Sequence, residues 1–231
     1  MSMGTPITFK LRKRSWLETV LLPLHGADPS RFDLMLIHGA GLSAALLWSG
    51  LALRAKLPYA WWQMMLVSFL LWDLVGGALS NLTDSTSDWY RQRSFAGNVA
   101  FLVLHLVHPL VATLALGLGN WAWVAFLWLF SLLAGTLILR LVGHPSQRTS
   151  AGFFVVFGWL VSMFFFKAPS ELVWFTPVFL FKLVYCFSVD HRNTASGVEM
   201  DRSRLRSDSQ SGLTAVSASR SSYDSLRSTR R

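Results

Sequence analysis

The chain has 231 residues, of which 52% are hydrophobic and only 14% charged, with one cysteine and a formal net charge of +9. Its apolar residues come in blocks of about 20 rather than at the period of a half-buried soluble helix, which excludes a water-soluble globular domain. The lone cysteine, Cys186, excludes an intramolecular disulfide and the usual cysteine-based zinc sites. The positive charge gathers at the two ends of the chain, where anionic lipid headgroups of a bilayer are the expected partner and nucleic acid is not.

Residues 1–33 begin with a basic run, Lys10 to Arg14, followed by Trp16, Leu17, Val20 and Leu21. Glu18 and Pro23 interrupt the apolar part, so this reads as an amphipathic segment on the membrane surface and not as a cleaved signal peptide. Residues 34–190 form the transmembrane domain. Six spans are predicted, at 34–53, 61–80, 95–118, 121–142, 152–166 and 171–189. Each comes near the length needed to cross a hydrocarbon core of about 30 Å, the fifth being short. The fold class is therefore all-α and integral to the membrane, a six-helix bundle with short loops. Ala40, Gly41, Ala44 and Ala45 put small residues on one side of the first span, which suits close helix packing. No span shows the paired Gly/Pro interruptions of an inverted-repeat transporter, although Pro109 is expected to free a carbonyl and bend the third. Residues 191–231 are rich in Ser and Arg and are expected to be a disordered tail. Ser207 and Ser209, with Arg204 and Arg206 three residues before them, fit a basophilic kinase.

Lysine and arginine set the orientation. Lys10 to Arg14, Arg31, Arg91, Arg93, Arg140, Arg148 and the tail fall on one side, against Arg54, Lys56 and Lys167 on the other. The basic side is the cytoplasm by the positive-inside rule, so both termini are expected there. Tyr59, Trp61, Trp62, Trp121, Trp123 and Trp174 form an expected aromatic belt at the opposite interface.

Polar residues at membrane depth are costly, and they concentrate here. Counting about 1.5 Å per residue from the cytoplasmic end, His38, Asp73, His105, His108 and Lys182 fall in one slab about a third of the way in. Asp73, Gly77, Ser80 and Asp84 make one stripe if the second helix runs on past the membrane surface. Residues 81–93 read as a polar loop whose Ser, Thr and Asp either cap the bundle or line the mouth of a pocket.

Three functions compete. In a metal-dependent hydrolase acting on a lipid, His105 and His108 would bind a divalent metal such as zinc and Asp73 or Asp84 would serve as base. His38, Asn81 and Lys182 would line its pocket. In a small proton- or ion-coupled transporter or channel, Asp73 and Lys182 would form a buried pair that titrates, with the histidines relaying protons. In a scaffold or binding module for lipid or protein, the same groups would only tie helices together.

Overall fold

The computed structural model describes residues 24–26 and 28–191 of the chain. The expected surface helix within 1–23 and the kinase sites of the tail lie outside the described residues. Among those described there are helices and no strands, and six helices are long and apolar enough to cross a membrane.

The helices are α1 (Arg31–Arg54), α2 (Trp61–Leu82), α3 (Asp84–Arg91), α4 (Phe95–Leu104), α5 (Val107–Leu116), α6 (Trp121–Arg140), α7 (Gln147–Phe165) and α8 (Phe175–Leu180). A 3-10 turn, Ser170–Leu172, precedes α8, and a π-helix, Phe181–Phe187, continues it. The six candidate spanning units are α1, α2, α4 with α5, α6, α7, and the turn–α8–π-helix unit. The last unit is the most buried of the six, with 56% of its residues inside the bundle. It packs against α2, α6 and α7, while α1 lies mainly against α2. The outward faces of α1 and α7 carry exposed Leu36, Leu46, Phe153 and Phe164. Such continuous apolar surface is compatible with a polytopic membrane protein and unsuited to water.

Local chemistry sets the boundaries. Ser30 Oγ accepts from the Asp33 amide at 3.0 Å and the Asp33 carboxylate accepts from the Ser30 amide at 3.3 Å, a complete capping box that starts α1. Gln63 Oε1 accepts from the Ala60 amide at 2.6 Å at the start of α2. Gly117, in the left-handed conformation at φ 67°, closes α5.

The second helix does not run on past its end. Thr83 turns extended (φ −77°, ψ 146°), and its hydroxyl accepts from the Thr86 amide to begin α3. The stripe through Asp84 is thereby broken, and the expected loop at 81–93 is mostly a short helix. Its Tyr90 is buried, edge-on to Phe101 and Phe187. Trp123 departs from the expected interfacial belt as well. It is 1% exposed and donates to Thr176 Oγ1 at 3.0 Å inside the bundle, whereas Trp61, Trp62 and Trp121 stay exposed.

Two of the six units are irregular, the third near Pro109, where a bend is expected from the sequence, and the sixth without such a signal. The third span is broken between α4 and α5, at His105 and Leu106. Pro109 has no amide to give the His105 carbonyl, and that carbonyl instead accepts from the His108 amide at 3.2 Å, in a 3-10 pattern. The sixth span changes from α to π at Phe181. Its terminal carbonyls are held from outside. Arg91 Nη2 donates to Phe187 O and Val189 O, both at 2.8 Å, and Gln147 Nε2 donates to Ser188 O at 3.2 Å.

Candidate functional site

Both irregular segments meet at one cavity. It has a volume of about 210 Å³ and is lined by Asp73, Gly77, Asn81, His105, His108 and Lys182, with Leu24, Ser80, Tyr90 and Phe101. A few water molecules would fill such a space.

At its centre one carboxylate oxygen serves two donors. Asp73 Oδ2, on α2, accepts from Lys182 Nζ of the π-helix and from His108 Nε2 of α5, each at 2.7 Å. Lys182 Nζ also donates to the Asp73 carbonyl at 3.2 Å. Lys182 is buried, and its counter-charge together with these two bonds is what allows an ammonium to sit there. The space it occupies is left by Gly77, where a Cβ would fall 2.7 Å from Lys182 Cε.

The histidine tautomers follow from the partners. A carbonyl only accepts, so His105 Nδ1, 2.7 Å from Phe101 O, carries its proton. In an uninterrupted helix Phe101 O would accept the His105 amide. That amide bonds Leu102 O instead, at 3.3 Å, so the break in the third span frees the carbonyl that orients the ring. A neutral His105 then holds its lone pair on Nε2, and the residue lines the cavity. His108 donates its Nε2–H to Asp73, and its Nδ1 is buried with no partner among the described residues. The two imidazoles stack, with ring centres 4.8 Å apart and planes inclined by 6°.

Asp73, Asn81, His105, His108 and Lys182 are thus brought together. His38 and Asp84 are not among the lining residues. His38 Nε2 instead lies 2.9 Å from His25 Nε2, and its ring stacks on Trp72 at 5.6 Å. Asp84 is exposed at the start of α3. For a metal, the donor set is poor. Each cavity histidine has one nitrogen engaged, stacked rings present their edges side by side, and His108 Nδ1 is sealed. Among the described residues no group of three or more His, Cys, Asp or Glu is placed to hold an ion.

Sequence reasoning did not find His25, Tyr90 or Phe101 as parts of this region. Tyr90 lines the cavity from α3, and burial pushes its phenol well above the usual value. Asn81 Nδ2 and Asn98 Oδ1 are buried with no partner among the described residues.

Among the described residues, fold and site together give an all-helical bundle, compatible with a polytopic membrane protein, with a charged, partly open cavity where two irregular helices meet. No protein family, curated protein or solved structure matches it.

Proposed function

We propose that the chain is a small proton-linked carrier or channel, with six spans, both termini in the cytoplasm, and the cavity opening to that side. The observation that carries this reading is the shared oxygen: Asp73 Oδ2 between Lys182 and His108 at 2.7 Å each, on the wall of a cavity. A carboxylate held this way couples its own protonation to the positions of two other spans, because a proton on Asp73 removes the counter-charge of Lys182. The broken third span and the π-helical sixth support it further. Irregular backbone at membrane depth is tolerated where it lines a cavity, and broken helices at matching positions of two halves mark binding sites in carriers. A π-helix can tighten to α by dropping one residue, which rotates everything on one side of it and would move Lys182. In this scheme Asp73 binds the proton, His108 and His105 pass it to and from water in the cavity, and Lys182 carries the change into the sixth span. The transported species is a proton with, or in exchange for, a small polar solute or cation.

The test is flux. Purified protein in liposomes holding a pH-sensitive dye should dissipate an imposed proton gradient, alone or with sodium, potassium or ammonium supplied. Asp73→Asn should reduce that flux at least tenfold. Flux no greater than from protein-free liposomes under every cation, with Asp73→Asn altering stability alone, would leave Asp73 and Lys182 as a structural tie and overturn the carrier reading.

A further inference from the structure

Among the described residues, Leu24 is the one lining residue of the cavity that precedes α1, and its surroundings show how it is held there. Ser80 Oγ of α2 donates to the Leu24 carbonyl. Gly26 sits in the left-handed region at φ 73° against Ser85 of α3, where a Cβ would lie 2.2 Å from the Ser85 carbonyl oxygen. The Asp28 amide donates to Ser85 Oγ at 2.9 Å. Between these anchors His25 is 9% exposed, with Nε2 2.9 Å from His38 Nε2 of α1 and the rings edge to face at 4.9 Å. Short, backbone-mediated anchors hold the chain against α2 and α3, and a pair of histidines fastens it to α1.

We propose that Leu24, His25 and Gly26 form a latch over the mouth of the cavity, and that the His25–His38 pair is a proton-operated catch that opens it on acidification. Two facing Nε2 atoms share one hydrogen at neutral pH, one ring donating and the other accepting. A second proton puts N–H against N–H and two positive charges 2.9 Å apart, and the bond becomes a repulsion. Among the described residues, the charged groups on the neighbouring elements give neither histidine a counter-charge. Asp33 is engaged with Ser30 in the cap of α1, and Asp73 with Lys182 and His108. Asp28, Arg31, Asp84 and Asp88 are exposed, and neither histidine has a carboxylate partner among the described residues. Trp72 stacks on His38 and adds no charge.

The sign follows from linkage. Burial first, and then the neighbouring His38, hold His25 below its ordinary value, so the closed form takes up a proton less readily than the open one. The latch is therefore at full strength above about pH 6.5 and weakens as the pH falls below it. This inference does not depend on the carrier reading, because it concerns access to the cavity whatever the cavity does.

Access can be measured directly. With Cys186→Ser removing the natural thiol, Asn81→Cys places a reporter in the cavity wall, to be labelled in detergent by a methanethiosulfonate reagent. The reference is the same protein with His25→Gln/His38→Gln, whose amides can keep a hydrogen bond and cannot charge. Dividing by the reference rate at each pH removes the reagent's own dependence on thiolate. The ratio should be near one at pH 8 and rise roughly tenfold at pH 5.5. A ratio that stays flat overturns the proposal. His25→Ala, which lacks the catch altogether, should label about tenfold faster than the histidine protein at pH 8 and gain little at pH 5.5. Slow labelling of that variant at pH 8 would equally overturn it, and neither result bears on proton flux.

Discussion

Gly77 and Lys182 share one space: a Cβ on Gly77 would stand 2.7 Å from Lys182 Cε and 2.8 Å from Nζ. The obstructed atoms are the far end of a flexible chain, so Gly77→Ala should be tolerated by the fold while the ammonium moves away from Asp73. The expected cost is roughly 1–3 kcal/mol of stability, that of an overpacked site. Gly41→Ala offers the contrast. There a Cβ would meet the Trp72 backbone carbonyl at 2.8 Å, which cannot step aside, so the two helices themselves must part. Thermal unfolding in detergent should rank Gly41→Ala as the more damaging change, and equal losses would count against the displaced-lysine account of Gly77.

Removing one member of the Asp73–Lys182 pair strands the other. Lys182 is 4% exposed, so Asp73→Asn leaves a buried ammonium short of its counter-charge. Either Asp73→Asn or Lys182→Met should cost about 3–5 kcal/mol, the range for a broken buried pair. The double variant should recover a good part of that loss, because a neutral amide beside an apolar chain needs no compensation. The measurement is a double-mutant cycle on unfolding in detergent. Strictly additive losses would mean that the 2.7 Å contact contributes no coupling.

Tyr90 supplies a pH prediction whose sign runs opposite to that of the latch. Its phenol is raised by burial, with the Arg93 charge opposing, so the folded protein resists its deprotonation. A raised acid stabilises the fold fully below its unfolded value near 10, and that contribution is lost as the pH climbs above it. Alkaline unfolding should therefore begin at higher pH in Tyr90→Phe than in the unsubstituted protein. Each pH unit above about 10 should cost the native tyrosine protein about 1.4 kcal/mol that the phenylalanine variant keeps. Identical alkaline transitions in the two proteins would show that another group governs them.

Much of this arrangement is legible in the sequence, for a physical reason. Hydrocarbon must be spanned by about 20 apolar residues, so the six units announce themselves by length, and polar residues within them stand out by cost. Counting depth along each span brings Asp73, His105, His108 and Lys182 to one level, and the cavity gathers all four. What the sequence hides is local backbone. Nothing in FKLVYCF distinguishes π from α, and the donors that its last carbonyls meet, Arg91 and Gln147, lie on other helices where no local pattern announces them. The helix Asp84–Arg91 is short and polar, and its stability comes from burying Tyr90 against Phe101 and Phe187 rather than from propensity. His38 fell outside the lining because its ring turns to His25 and Trp72, and a histidine before the first helix has no periodic neighbour to betray it.

Arg91 tests whether the π-helix is held from outside. One nitrogen of its guanidinium donates to Phe187 O and Val189 O, which brackets the end of the segment that carries Lys182. Hydrogen bonds from a charged donor contribute about 1.5–3 kcal/mol, so Arg91→Ala should lose on that order and loosen residues 181–189 first. Arg91→Lys keeps the charge and gives up the planar fork, so it should restore only part of the loss. Amide hydrogen exchange is the measurement: protection should fall at 183–189 well before it falls in α6, in alanine more than in lysine. If Arg91→Ala lowers protection evenly through every helix, the arginine contributes to overall stability and the π segment keeps its shape by its own packing. If protection falls only near the π-helix, then Lys182 depends on a residue in a different helix for its place beside Asp73.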